Sequence, residues 1–255
     1  MIKKNYRRIV PVKQRIQTIQ LFRQLTAGFY KGNNVTCNCC GRSFQKFLSK
    51  RNLLTKRANA QCPYCGSLES TRLLLFYIEN ESTLLTNPSR LLHFAPEIGL
   101  MPIFKTASNL DYVTADIASN YADYCVDISN IPFCEESFDY IICSHVLRFV
   151  LDEKKAIQEL YRILKPQGTA LVLTLIDVNN PCTFETNLAD SPETRLQSYM
   201  DADACRLHGA DFSQRLQEGG FQVEIIDYAA NLGEEKRKKY ALGNGMRELI
   251  FKCTK

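Results

Sequence analysis

Residues 91–100, LLHFAPEIGL, decide how the rest of this chain is read. The run from Leu91 to Phe94 has the length and apolarity of a buried strand, and the Ala-Pro-Glu-Ile-Gly that follows ends it with turn residues. In an open α/β sheet, ligands bind just beyond the carboxyl ends of the strands, so the turn after a first strand is where a cofactor is sought. Ala95, Glu97 and Gly99 occupy the three alternating positions that a full glycine signature would fill. The turn therefore needs support from what comes after it.

That support arrives at suitable distances. Asp116 ends the apolar run YVTAD, 23 residues after His93, where a carboxylate accepts hydrogen bonds from the two hydroxyls of a ribose. Asp127, in CVDISNIPF, follows a third run, where the carboxylate and the next backbone amide, that of Ile128, suit an adenine edge. SFDYIICSHVLRFV supplies a fourth strand that ends at Ser144-His145. Strands are expected at Arg90 to Phe94, Tyr112 to Ala115, Tyr124 to Val126, Tyr140 to Cys143, Thr169 to Leu175, Phe221 to Ile226 and Glu248 to Lys252. Helices are expected at Glu153 to Leu164, closed by the turn Lys165-Pro166-Gln167-Gly168, and at Asp211 to Glu218, closed by Gly219-Gly220. Alternation of this kind predicts a Rossmann-like, doubly wound α/β sheet of seven strands with a late antiparallel pair at its edge. Only 11 residues separate Asp116 from Asp127, too few for a helix between the second and third strands. The polar segment 176–208 reads as a long irregular lid over the acceptor.

Upstream of this domain the chemistry changes. Cys37-x-x-Cys40-Gly41 and Cys62-x-x-Cys65-Gly66, 21 residues apart, have the spacing of a four-cysteine zinc ribbon. Each CxxCG forms a knuckle whose glycine permits positive φ. Cys39 lies inside the first knuckle and is a possible substitute for Cys40, but the parallel with CPYCG selects Cys37, Cys40, Cys62 and Cys65 as ligands of a closed, structural Zn2+ site. The plainer alternative is four reduced cysteines without metal. An odd total of eleven cysteines in a chain of 255 residues argues against a disulfide scaffold.

The expected division is a basic helical segment over 1–34, the ribbon over 35–70, a linker helix over 71–89 and the α/β domain over 90–255. The lead-in helix, with Ile16, Ile19, Leu21, Phe22, Leu25 and Phe29 at helical spacings, is expected to pack on one of the domains. Residues 1–60 carry fourteen Lys or Arg and no Asp or Glu, whereas the remainder carries 18 basic against 27 acidic residues. Such a split suggests an anionic partner for the front, RNA among them, or mutual attraction of the two parts. No stretch approaches the ~20 apolar residues of a membrane span, and the start lacks the apolar core of a secretory signal, so a cytoplasmic location is expected.

Taken in order, these blocks resemble the class I S-adenosylmethionine-dependent methyltransferases, of the methyltransferase type 11 kind. More narrowly, CPYCGSLESTRLLLFYIE followed by LLHFAPEIGL is similar to a bacterial subgroup in which a cysteine-rich ribbon precedes a methyltransferase domain with a Phe-Ala-Pro-Glu motif. The resemblance implies S-adenosylmethionine as cofactor, held by His93, Phe94, Ala95, Pro96, Glu97, Gly99, Asp116, Ile117, Asp127, Ile128 and Ser144. It implies as acceptor a hydroxyl or similar group on a small metabolite or glycan. Three departures stand out: His93 replaces the usual acidic residue, Glu97 replaces a glycine and takes over the cofactor's ammonium, and Leu147-Arg148-Phe149 replaces Leu-Glu-His. Methyl transfer needs alignment and, for a hydroxyl acceptor, a base. Of the three histidines, His145 and His208 are the candidate bases, and His93 is read as a structural or cofactor contact. Further readings are an RNA methyltransferase whose basic front holds phosphates, and a methyltransferase-like module that only binds.

Overall fold

A computed structural model of the chain describes residues 12–51, 56–117, 121–185, 191–199, 201–243 and 249–255. The expected helical residues 1–11 and the first residue of the last expected strand, Glu248, lie outside them.

Helix α1 (Val12–Thr26) leads into the segment expected as the ribbon, which folds as two small antiparallel hairpins: β1 (Lys31–Thr36) with β2 (Ser43–Phe44), and β3 (Leu48–Arg51) with β4 (Lys56–Gln61). The apolar residues of α1 do not supply the packing. Leu21, Phe22, Leu25 and the following Phe29 are exposed, and the helix is held by polar groups instead. Gln20 Nε2 donates to the carbonyl of Tyr64, and Arg23 lies across Gly66, where a Cβ would meet its guanidinium at 2.4 Å.

Helix α2 (Glu69–Glu81) follows the ribbon and is apolar around much of its circumference, with Leu73, Leu74, Leu75, Tyr77 and Ile78 all buried. A helix of that composition is a core helix, and α2 does more than link: it covers one face of the main sheet. The sheet consists of β5 (Ser89–Phe94), β6 (Leu110–Asp116), β7 (Tyr124–Cys125), β8 (Phe138–Ser144), β9 (Leu164–Leu173), β12 (Gln222–Ile226) and β13 (Ile250–Thr254). Their spatial order is β12-β13-β9-β8-β5-β6-β7, parallel from β9 to β7, with β13 antiparallel to both neighbours. Successive side chains alternate between faces. Leu91, Ile142 and Leu171 join α2 on one side, while Leu92, Ile141 and Val172 join helices α4 (Glu153–Ile163) and α6 (Phe212–Glu218) on the other. Among the described residues, no helix stands between β6 and β7, in keeping with the short spacing there.

Two local expectations are corrected. Lys165-Pro166-Gln167-Gly168 is not a turn between helix and strand but the opening of β9, where Gln167 takes φ +63° and donates its N–H to the carbonyl of Lys255. Segment 176–208 is more ordered than its polarity suggests. It contains the short pair β10 (Phe184–Glu185) and β11 (Arg206–Leu207) and the helix α5 (Pro192–Tyr199), while residues 186–190 and 200 of it lie outside the described residues.

Candidate functional site

A sheet with this order, its last strand inserted antiparallel beside the fifth, is that of the Rossmann-like class I methyltransferase fold. Its strand order reverses between β5 and β8, and such a switch point opens a crevice at the carboxyl ends of the strands. A cleft of about 630 Å³ lies there. Phe94 and Ala95 reach it from the end of β5, Asp116 and Ile117 from β6, residues 126–129 from beyond β7, and His145 and Val146 from β8. Ala95 is forced into φ +45° and its N–H donates to the carbonyl of Ala115, which fixes the turn without a glycine.

Of the expected cofactor residues, Phe94, Ala95, Asp116, Ile117, Asp127 and Ile128 line this cleft together with His145. Asp127 Oδ1 accepts from the amide and hydroxyl of Ser129, and those bonds hold its carboxyl below the usual range. His93, Pro96, Glu97, Gly99 and Ser144 are not among the lining residues. His93 is fully buried, with Nδ1 2.9 Å from the Tyr112 hydroxyl and Nε2 2.5 Å from Glu97 Oε2. Burial pushes the Glu97 carboxyl up, but the charge and hydrogen bond of His93 and a hydrogen bond from Ser144 outweigh it, leaving Glu97 ionised. Gly99 packs on the ribbon: a Cβ there would come within 2.9 Å of Ser67 Cβ.

The two candidate bases separate clearly. His145 sits on the cleft at φ +57°, with Nε2 3.4 Å from the Ser70 hydroxyl. His208 does not reach the cleft. It is fully buried, and its nitrogens are committed to Thr174 Oγ1 at 2.7 Å and Glu153 Oε1 at 2.6 Å. Burial holds its imidazole below the ordinary value, so a neutral ring that donates from Nε2 and accepts at Nδ1 fits both partners. Both ring nitrogens are thus engaged inside the protein, away from the cleft.

Residues 149–152 complete the wall of the cleft, and the exposed Phe149 and Leu151 make it apolar. The sequence had set Leu147-Arg148-Phe149 near the acceptor, but not the part that Val150 and Leu151 play in the wall. The wall is tied to the segment 199–206 by two buried arginines. Arg206 donates to the carbonyls of Leu147, Val150 and Leu151, and Arg148 donates to the carbonyl of Tyr199 at the end of α5. Arg148 thus ties the wall to the end of α5. Glu153, at the first turn of α4, binds His208 and Arg215 and completes the brace.

In the ribbon, Cys37, Cys40, Cys62 and Cys65 place their sulfurs within 4.8 Å of one another, a cluster able to coordinate a metal. The Sγ separations are 3.5 Å for Cys37–Cys65 and 3.8 Å for Cys40–Cys62, and a tetrahedral ion with Zn–S bonds of ~2.3 Å would set these edges at about 3.8 Å. Gly41 and Gly66 take φ +69° and +79°, and their amides donate to the carbonyls of Cys37 and Cys62 to close the two knuckles. The crowding of these sulfurs draws Cys37 below the usual thiol range and pushes Cys40 and Cys62 above it. Four thiols this close resist joint ionisation without a cation. All eleven cysteines are free of disulfides.

Comparison with known proteins agrees with the fold. Residues 104–172 match the family described as a methyltransferase domain. The 2-phytyl-1,4-naphtoquinone methyltransferase of Nostoc punctiforme is 28% identical over 126 residues, covering 49% of this chain and 54% of that protein. The ubiquinone/menaquinone biosynthesis C-methyltransferase UbiE of Haemophilus ducreyi is 37% identical over 65 residues, 26% of this chain and 21% of that one. The chain spans about half the length of the first of these relatives and less of the second. Among solved structures, the [4+2]-cyclase SpnF aligns with a TM-score of 0.50 at 15% identity over 94% of this chain and 96% of its own, a likeness of fold alone.

Proposed function

We propose that this chain transfers the methyl group of S-adenosylmethionine to a small-molecule acceptor at the carboxyl edge of its sheet, with a structural Zn2+ in the four-cysteine cluster. The observation that carries the reading is the cleft with Asp116 at the end of its second strand and Asp127 beyond its third. S-adenosylmethionine supplies an electrophilic methyl on a sulfonium when bound. Asp116 accepts from the ribose hydroxyls, and Ile128 and Val126 supply an apolar face for the adenine, beside Asp127. Glu97, bound by His93 behind the cleft, fixes the turn after the first strand.

The acceptor meets the wall formed by Phe149, Val150 and Leu151. Its apolar character favours a flat, unsaturated metabolite over a glycan, and the quinone chemistry named for the relatives is compatible with this. His145, the histidine on the cleft, takes the proton when the acceptor group is a hydroxyl. Calorimetric titration with S-adenosylmethionine and S-adenosylhomocysteine tests the reading: micromolar binding of both supports it. Failure of both to bind would overturn it in favour of a module of the same fold that binds something else.

A further inference from the structure

A second cleft, of about 540 Å³, shares no lining residue with the first. On one side stand Lys56, Arg57 and Asn59 of β4, in the ribbon. On the other stand Arg237 and Lys238 of the C-terminal helix α8 (Gly233–Lys239). Glu69, in the first turn of α2, also lines it and is 5% exposed.

The opposed cations are held apart by a rigid strut. Arg72 is completely buried beside the cleft. Its guanidinium donates to the carbonyls of Ala60 and Ser67 in the ribbon, and to those of Tyr240 and Ala241 just after α8. The gap between the two cationic walls is therefore set by hydrogen bonds at both ends, which hold it against widening as the cations repel. Arg57 spends part of its charge on Glu69 Oε1 at 2.9 Å, and Lys238 on Glu234 at 2.6 Å. Among the described residues, Lys56 and Arg237 have no carboxylate within salt-bridge distance. Among the described residues that line the cleft, four cations face one carboxylate, a balance that suits an anion.

Glu69 narrows the choice. Its second oxygen, Oε2, is buried and has no hydrogen-bond partner in the protein, an omission that native structures seldom tolerate. A simple anion would leave it unsatisfied. A ligand that presents a phosphate next to a hydroxyl satisfies the cations and this acceptor together.

We propose that the cleft between β4 and α8 binds a ribose phosphate, with the phosphate between the two cationic walls and a ribose hydroxyl donating to Glu69 Oε2. Ribose phosphate comes either as a free nucleotide or as an RNA strand. The inference does not rest on methyl transfer, because binding is read directly. The test titrates the full, zinc-loaded chain with ADP, with inorganic pyrophosphate and with a short single-stranded RNA, at two salt concentrations. Lys56→Glu and Arg237→Glu serve as variants, since neither residue touches the first cleft. Binding of ADP or RNA that falls at least tenfold in each variant, with S-adenosylmethionine affinity unchanged, supports the site. ADP without RNA assigns a free nucleotide, while RNA without ADP, weakening steeply with salt, assigns the strand. The proposal is overturned if neither binds, if charge reversal leaves binding as it was, or if pyrophosphate binds as tightly as ADP.

Discussion

Asp116 ends its strand on the cleft, and the sequence alone placed it there because an apolar run can end on a carboxylate only where the sheet gives out. Removing it takes away acceptors for two ribose hydroxyls. Hydrogen bonds to a charged group contribute about 1.5–3 kcal/mol each, so Asp116→Ala is expected to weaken S-adenosylmethionine binding at least tenfold in calorimetry. Unchanged affinity would cancel the ribose role. The surroundings of His208 were not legible for the opposite reason: one histidine in a polar stretch says nothing about Thr174 and Glu153, 34 and 55 residues away. Burial depresses its pKa, so in mildly acid solution the unfolded chain binds a proton that the folded one refuses. Its contribution to stability is complete above the unfolded value of about 6.5 and is lost as pH falls through the folded one. Glu153, depressed in its turn, adds a loss that begins only below about pH 4.3. His208→Gln is therefore expected to lower stability at pH 7.5 and to flatten its fall between pH 7.5 and 5.5. Urea midpoints of the zinc-loaded protein at the two pH values measure this, and parallel slopes for variant and wild type would refute it.

Strands β5, β6 and β8, and the second half of β9, were legible because each carries a short apolar run whose residues are buried in the sheet. What the sequence withheld was whatever depends on a distant partner. Gln167 enters β9 because Lys255 accepts its amide, and no local signal separates that from a turn. The apolar residues of α1 promised a buried face, yet the ribbon grips that helix through Gln20 and Arg23. The arginine within TRLLLFYIE was visible as an interruption of an apolar helix, but its role as a strut depends on carbonyls 168 and 169 residues further along. Gly99 is a similar case. Its value lies in the seam between the loop after β5 and the ribbon, where Ser67 leaves no room for a methyl group. Overpacking of such a contact costs about 1–3 kcal/mol, and Gly99→Ala is expected to lower the denaturant midpoint correspondingly. An unperturbed midpoint would mean that the seam yields freely.

At the scale of the whole molecule, the ribbon and the sheet are joined through the knuckle that the metal would close. The ribbon's own core is small. It comprises Ala27, Val35, Phe44 and Phe47 with Cys37, Cys62 and Cys65, so three of its seven buried residues are expected metal ligands. A core of that size does not sustain a fold without a staple, and binding free energy at such sites is folding free energy. Ser67 carries the connection outward: its hydroxyl lies 3.1 Å from Cys37 Sγ and 3.2 Å from Cys65 Sγ, while its Cβ closes on Gly99. Three residues later, Ser70 reaches His145 on the cleft. Stripping the metal with a chelator, or replacing Cys62 with Ser, should therefore unfold the ribbon and lower S-adenosylmethionine affinity severalfold. The main sheet, with its separate and larger core, should keep most of its circular dichroism. Freshly purified protein without zinc would remove the metal assignment. Zinc present, but cofactor affinity indifferent to its removal, would show that Ser67 and Ser70 join the two parts mechanically without shaping the cleft.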